Sequence, residues 1–190
     1  MFKNNDEGFT GLEAAIVLIA FVVVAAVFSY VVLGAGFFTT QKSQEVVHTG
    51  VQQASSTLEI VGNVYGTSAA SGGPINAVNF SIALAPGGTS VDMSKAVLVY
   101  SNSTQLETLT APTATGTIAA AGAWSVPAVQ NEVTADMVLE KGEVFNIMAS
   151  PTAGVYANDV FNIEINPSIG AALSIHRTAP ASPQKVNILF

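Results

Sequence analysis

The feature that most constrains this chain is a long apolar segment near its amino terminus. Residues 14–41 contain no charged side chain, and most positions from Ala14 to Phe38 are Ala, Val, Ile, Leu or Phe. Because a helix rises about 1.5 Å per residue, about 20 apolar residues cross the hydrocarbon core of a bilayer. The segment is long enough to span a membrane. It also exceeds the roughly 7–15 apolar residues typical of a secretory signal peptide.

The composition of the whole chain excludes several classes of protein. Charged residues make up 10% of the 190 residues and hydrophobic residues 49%, whereas an average soluble domain is about 25% charged. This balance is the opposite of that in a disordered protein. Six basic residues against thirteen acidic ones argue against nucleic-acid binding, which needs a basic surface. Since there is no cysteine, disulfides, thiolate zinc sites and thiol catalysis are excluded.

A heptad-like pattern continues beyond the apolar segment. Apolar residues recur there at alternating spacings of four and three: Val47, Val51, Ala54, Leu58, Val61 and Tyr65. This spacing is typical of a helix that packs against other helices. We predict one continuous hydrophobic helix over residues 9–65, ended by Gly66, and a linker over residues 66–74. A helix of that length exposes more surface than one small domain covers, so we expect it to pack against copies of itself.

From Ile75 onward the pattern changes to period two, with apolar residues at Val78, Phe80, Ile82 and Leu84. Similar short segments follow at residues 96–101, 137–139, 145–150, 161–166, 173–177 and 186–190. Short strands separated by glycine and proline predict an immunoglobulin-like antiparallel β-sandwich over residues 75–190. The fold class is therefore α+β. Residues 140–143 have the composition of a hairpin turn, and residues 104–130 fit either irregular strands or an exposed loop.

The sequence contains no pattern that indicates catalysis or metal binding. The two histidines, His48 and His176, have no partner at ligand spacing. We expect no enzyme activity, no cofactor and no metal site. Two sequons suitable for N-glycosylation begin at Asn79 and Asn102. Of these we expect Asn102, at the end of a predicted strand, to be the better acceptor.

The residues around Gly8 resemble a known export signal. The sequence Phe-Thr-Gly-Leu-Glu follows Gly8 and leads directly into the apolar segment. This arrangement resembles the class III signal of type IV pilins and archaeal flagellins (archaellins). The apolar run Ile16–Val27 and the later stretches 141–147 and 163–171 resemble archaellins more closely than bacterial pilins.

The resemblance implies that a prepilin-type peptidase cuts between Gly8 and Phe9 and removes residues 1–8 as a leader. The new amino group on Phe9 would lie one helical turn from Glu13. Because an unpaired carboxylate is costly in apolar surroundings, we expect this amine, on the same or a neighbouring chain, to pair with Glu13. Alternatively, Glu13 simply interacts favourably with the helix dipole. The acidic pair Asp6-Glu7 departs from the basic leaders of these families.

The function implied by the resemblance is that of a structural subunit of the archaeal flagellum (archaellum) filament. The subunit would polymerise through its helix, with contacts at Phe9, Glu13, Val47, Val51, Leu58 and Val61. Its partners would be its own copies or sister archaellins, the peptidase, and the assembly platform and motor of the archaellum. We expect a precursor in the cytoplasmic membrane and an extracellular filament. Since Glu13 is typical of bacterial pilins, an adhesive type IV-like pilin is the alternative, and a monomeric membrane-anchored surface domain is a third possibility.

Overall fold

The computed structural model of this chain describes residues 6–190. These residues divide into two compact units, one ending at Thr49 and the other comprising Gly50–Phe190. The predicted leader, residues 1–8, lies partly outside the described residues, and its last three residues belong to the first helix.

The first element is helix α1, which occupies Asp6–Ser55. At about 1.5 Å per residue it is roughly 75 Å long. No proline interrupts it, since Pro74 is the first proline of the chain. The backbone N–H of Ser56 still donates to the carbonyl of Gln52 at 2.9 Å, and the helix ends there. The prediction of a helix over residues 9–65 is therefore wrong beyond Ser55.

Strand β1, Leu58–Ser68, stands where the sequence predicted the end of the helix. It lies between two antiparallel neighbours, β2 (Ile75–Leu84) and β11 (Val186–Leu189). Pairing on both sides satisfies its backbone groups, and its β-branched and aromatic residues favour a strand. The sheet domain consequently begins at Leu58 and not at Ile75.

Gly66 has a different role from the predicted one. It lies inside β1, so the predicted linker over residues 66–74 is wrong for residues 66–68. A Cβ at Gly66 would come within 2.9 Å of Cδ1 of Ile75. Glycine fits there because Ile75 and Leu189 pack closely against it, and it does not end a helix.

Eight further strands complete the sheets: β3 (Val91–Asp92), β4 (Val97–Asn102), β5 (Leu106–Leu109), β6 (Ala123–Gln130), β7 (Val138–Leu139), β8 (Val144–Ser150), β9 (Val160–Asn166) and β10 (Leu173–Thr178). A five-stranded sheet has the order β11-β1-β2-β8-β6, a four-stranded sheet has the order β10-β9-β4-β5, and β3 pairs with β7. All of these pairings are antiparallel. A short 3₁₀ helix, Met93–Lys95, follows β3.

The two larger sheets enclose one hydrophobic core. Ile82 and Phe145 from the five-stranded sheet and Leu98 and Ile163 from the four-stranded sheet are fully buried in the same cluster. The period-two pattern of the sequence therefore identified core-facing positions correctly. The α+β fold, a long apolar helix followed by an antiparallel β-sandwich, is confirmed.

Residues 104–130, which the sequence left open, contain both strands and irregular chain. Strands β5 and β6 lie at its two ends, and residues 110–122 connect them without regular structure. The backbone N–H of Thr110 donates to the carbonyl of Gly122 at 2.9 Å, which closes this connection at its base. Trp124 at the start of β6 is buried in the core.

Residues 140–143 form a turn, but not the predicted hairpin. Strand β7 before the turn pairs with β3, whereas β8 after it pairs with β2 and β6. The Glu143 side chain is 1% exposed, and its carboxyl oxygens accept backbone N–H groups from Val133 at 2.7 Å and from Glu140 at 2.9 Å. This buried carboxyl group fixes the turn and the segment before β7.

The last turn of α1 belongs to the sheet unit and is held by two loops. Gln53 Nε2 donates to the carbonyl of Gly170 at 3.3 Å, and the hydroxyls of Ser56 and Thr89 are 2.6 Å apart. Gly170 has φ +109°, and an ideal Cβ there would lie 1.6 Å from the Ser56 carbonyl oxygen. The loop can therefore approach the helix end this closely only with glycine at position 170.

Candidate assembly surface and glycosylation sites

The surface of α1 is apolar on all sides along residues 14–38. Its large hydrophobic side chains are more than half exposed, from Leu12 through Phe21 and Tyr30 to Phe38 and Val51. By length and composition, residues 11–54 could cross a membrane. A helix that is apolar all round is stable only when lipid or protein covers it. This surface therefore needs a second environment beyond its own chain.

Three threonine hydroxyls on the second half of α1 are satisfied within the helix. Thr39 Oγ1 donates to the carbonyl of Ala35 at 2.8 Å, Thr40 Oγ1 to that of Gly36 at 2.7 Å, and Thr49 Oγ1 to that of Glu45 at 2.7 Å. These side chains consequently require no water when the helix is covered. They suit either a lipid or a protein surrounding.

Two charged side chains near the end of the apolar segment neutralise each other. Lys42 Nζ lies 2.6 Å from Glu45 Oε2, and both side chains are exposed. Glu13, at the start of the segment, lies on α1 beside Ala14, Val17 and other apolar residues. Between Glu13 and Lys42 the sequence has no charged residue, so that segment offers Glu13 no cation.

Of the six predicted contact residues, Phe9 lies on α1 but its side chain is outside the described part of the structure, and Glu13 is on α1. The other four fall into two groups. Val47 and Val51 lie on α1 and are exposed, as a helix contact requires. Leu58 and Val61 lie on β1, and Leu58 is only 4% exposed because it packs in the core of the sandwich. The assignment of Leu58 and Val61 to a helix seam is therefore wrong. The spacing of three and four residues continued into a segment whose backbone is paired as a strand.

The side chains of the two sequons have different surroundings. Asn79 lies in the middle of β2, between β1 and β8, and its Nδ2 donates to Thr67 Oγ1 at 3.2 Å. Asn102 lies at the end of β4. Its Oδ1 accepts hydrogen bonds from the backbone N–H groups of Thr104 at 2.9 Å and Gln105 at 2.8 Å. A glycan on Nδ2 of Asn102 would leave these two Oδ1 bonds in place, although the same side chain also interacts with Tyr100. A glycan on Asn79 would disturb a contact within the sheet.

The described residues contain no group of three or more His, Asp or Glu side chains placed to hold a metal ion. One carboxylate, Asp92, has its pKa held below the usual value by the Lys95 side chain, 2.6 Å away, and by Ser94. Burial raises the pKa of Tyr100 to about 12. Both groups belong to the framework of the sandwich, since Asp92 caps a 3₁₀ helix and Tyr100 stacks on Phe161 in the core.

Comparison with known proteins identifies the family. A family model described as archaeal-type flagellin matches residues 8–177. The chain belongs to the archaeal-type flagellins. Probable flagellin 1 of Archaeoglobus fulgidus is 42% identical over 205 residues, which cover 100% of this chain and 98% of that protein.

Two solved flagellin structures support the fold. A chain from the archaeal flagellum of Methanospirillum hungatei strain JF1 matches with a TM-score of 0.74 and 35% identity, covering 95% of this flagellin and 99% of that chain. The crystal structure of a flagellin from Methanocaldococcus jannaschii matches with a TM-score of 0.59 over 70% of this chain and 95% of that one. At 19% identity, this second likeness concerns the fold alone.

Membership of this family decides between the alternatives that the sequence left open. The flagellin is a structural subunit of the archaellum filament, and not an adhesive pilin or a monomeric anchored domain. Its copies therefore assemble into an extracellular polymer. The exposed apolar surface of α1 is the part of the chain that cannot remain uncovered in that polymer.

Proposed function

We propose that this flagellin polymerises through α1, after a peptidase of the prepilin type removes residues 1–8. The observation that carries the proposal is the apolar, exposed surface of α1 along residues 11–54. Lipid covers this surface in the cytoplasmic membrane before assembly. Neighbouring copies of α1 cover it afterwards in the filament core, with contacts that include Phe9, Glu13, Val47 and Val51.

Cleavage between Gly8 and Phe9 supplies the cation that Glu13 lacks. In the mature chain the amino group of Phe9 lies one helical turn from the Glu13 carboxylate, on the same chain or a neighbour. An ionised carboxylate in a helix bundle is costly unless it is paired. The family match, which begins at residue 8, supports a boundary at this glycine.

The other partners follow from this route. The subunit passes from the membrane to the filament base through an archaellum assembly platform, and the motor rotates the finished polymer. Sister archaellins in the same filament are compatible with these contacts. The chain itself has no catalytic role and needs no cofactor. Asn102 is the preferred glycan acceptor, and Asn79 is the poorer one because its amide group is already engaged in the sheet.

Mass spectrometry of sheared filaments tests the processing step. We expect a mature chain that begins at Phe9 and carries any N-glycan on Asn102. A filament subunit that retains residues 1–8 would refute the cleavage, and a glycan on Asn79 alone would refute the assigned acceptor.

The role of Glu13 is tested by Glu13→Ala, with Glu45→Ala as the matched control on the same helix. Loss of the Glu13 pair should lower filament yield about tenfold or more, which corresponds to about 1.4 kcal/mol. The amount of subunit in the membrane should not change. Glu45 belongs to an exposed ion pair, so its loss should have little effect. Normal filaments from Glu13→Ala would remove the role assigned to this carboxylate.

A further inference from the structure

Strand β11 is less protected against pairing with another chain than the other edge strands of the two large sheets. Unpaired backbone groups on a sheet edge can pair with another chain, and proteins commonly protect such edges with charges, prolines, bulges or covering loops. The other three edge strands have such protection. Strand β10 carries Arg177 and β5 carries Glu107, whereas β6 contains Pro127 and a register shift.

Strand β6 is also covered in part by the preceding irregular segment. The N–H of Gly116 donates to the carbonyl of Val126 at 2.8 Å, and Thr110 forms a bridge with Ala123. Strand β11 has the sequence Val-Asn-Ile-Leu, without a charge, a proline or a bulge. Among the described strands it pairs with β1 alone. Its outer edge therefore lacks these protections except at one point, where the N–H of Thr178 donates to the carbonyl of Phe190 at 3.0 Å.

The outward face of β11 is apolar as well. Val186, Ile188 and Phe190 alternate with the buried residues Asn187 and Leu189, so the three exposed side chains lie on one face. Phe190, the last residue, is 87% exposed.

Tyr65 on β1 lies directly opposite Ile188 and extends this face across two strands. We call Tyr65, Val186, Ile188 and Phe190 the β11 patch. Contiguous apolar patches of this kind mark interaction sites in soluble domains.

The partner that best fits the β11 patch is a second copy of this chain. The full chain carries a net charge of −7 and stays acidic without residues 1–8, so neighbouring copies repel one another wherever their charged surfaces meet. The side chains of the β11 patch are uncharged. Strand β1, which contributes Tyr65, follows α1 after only Ser56 and Thr57, so one of the two strands that carry the patch is joined directly to the helix proposed to polymerise.

We propose that the β11 patch and the adjoining outer edge of Val186–Leu189 form a contact between neighbouring copies in the filament. The contact is heterologous, since the patch of one copy meets a different surface of the next, as an open helical polymer requires. It adds a second set of subunit contacts, outside the helices, to those of α1. The proposal rests on assembly of this flagellin into filaments and not on the site of leader cleavage.

Single cysteine variants test the contact, because the natural chain has no cysteine. Ile188→Cys is compared with Val97→Cys on the other sheet, since Ile188 and Val97 are both 45% exposed. The rate of maleimide labelling is measured for each variant in intact filaments and in dissociated subunits. We expect assembly to slow labelling at position 188 at least tenfold and at position 97 less than threefold. Equal protection at the two positions, or no protection at position 188, would overturn the proposal while leaving filament assembly itself intact.

A charge at the same position gives an independent measurement. Ile188→Glu should lower the fraction of subunits recovered as sedimentable filaments at least fivefold relative to Val97→Glu. Thermal unfolding of the dissociated subunits should be the same for both variants, which separates a lost contact from a misfolded domain. Normal filament recovery with Ile188→Glu would contradict a contact at the β11 patch.

Discussion

Replacement of Gly170 by alanine should destabilise the sheet domain strongly, although the residue lies in a loop. The loop between β9 and β10 approaches the end of α1 so closely that a Cβ at position 170 would lie 1.6 Å from the Ser56 carbonyl oxygen and 2.7 Å from its carbonyl carbon. Both atoms belong to the backbone, and Ser56 is 1% exposed. The collision therefore cannot be relieved by rotation of a flexible side chain.

Two contributions give the expected magnitude for Gly170→Ala. Gly170 has φ +109°, and a residue with a Cβ at positive φ costs about 1–2 kcal/mol. Overpacking against a buried backbone costs about 1–3 kcal/mol. The free energy of unfolding should therefore fall by about 2–5 kcal/mol, out of the roughly 5–15 kcal/mol typical of a folded domain. For a domain of this size the melting temperature should fall by about 10 °C.

The control is Gly87→Ala, since Gly87 has φ +87° but no atom within 4 Å of an ideal Cβ. It isolates the cost of the backbone conformation and should lose only about 1–2 kcal/mol. Both variants are measured by thermal and urea unfolding of a chain that starts at Gly50, followed by circular dichroism. If Gly170→Ala and Gly87→Ala have equal stability, the close approach between the loop and the helix end does not exist in solution.

Two further substitutions test buried polar groups in the sandwich. Glu143→Ala should lower the unfolding free energy by roughly 2–4 kcal/mol, because the N–H groups of Val133 and Glu140 lose their buried acceptor. Glu143→Gln keeps one acceptor oxygen and should lower it by about half as much. Urea unfolding measures both. The Tyr100 hydroxyl is buried and forms no hydrogen bond of normal geometry, although the Asn102 side chain interacts with it and opposes the rise of its pKa; Tyr100→Phe should therefore change stability by no more than about 1 kcal/mol. The pKa of Tyr100 is raised to about 12, so its contribution to stability is present below about pH 10 and is lost as the pH rises towards 12. The natural chain should consequently lose more stability than Tyr100→Phe between pH 10 and pH 12, and parallel pH profiles of the two proteins would contradict this assignment.

The helix and most strands could be predicted from the sequence because their signals are local. An uncharged segment as long as residues 14–41 has few structures other than a helix that crosses a membrane or enters a bundle. The alternation at Val78, Phe80 and Ile82 directly reports which side of β2 faces the core. In both cases the pattern depends on neighbours within the same element.

The end of the helix could not be predicted in this way. Val47 to Tyr65 keeps spacings of three and four residues, yet Leu58 and Val64 face the core from a strand. What decides the structure there is pairing with β2 and with β11, which lies more than 100 residues further along the chain. Such pairing depends on contacts distant in sequence, and periodicity over a short window does not detect it.

The features of the candidate site show the same contrast between local signals and contacts distant in sequence. The apolar surface of α1 and the sequon at Asn102 are properties of contiguous residues, and both were found from the sequence. The β11 patch was not, because it combines Tyr65 with residues from the last strand, and its exposure follows from the order of the sheet.

The distribution of polar groups explains how one chain can tolerate two surroundings. Along α1 the hydroxyls of Thr39, Thr40 and Thr49 donate to carbonyls of the same helix, so these hydroxyls need no water when lipid or neighbouring helices cover them. The sandwich has its own core, independent of that cover. A change in what surrounds the helix therefore need not unfold the domain. On the proposed route from bilayer to polymer the sandwich would therefore stay folded, and the substitutions that matter for assembly should differ from those that matter for folding.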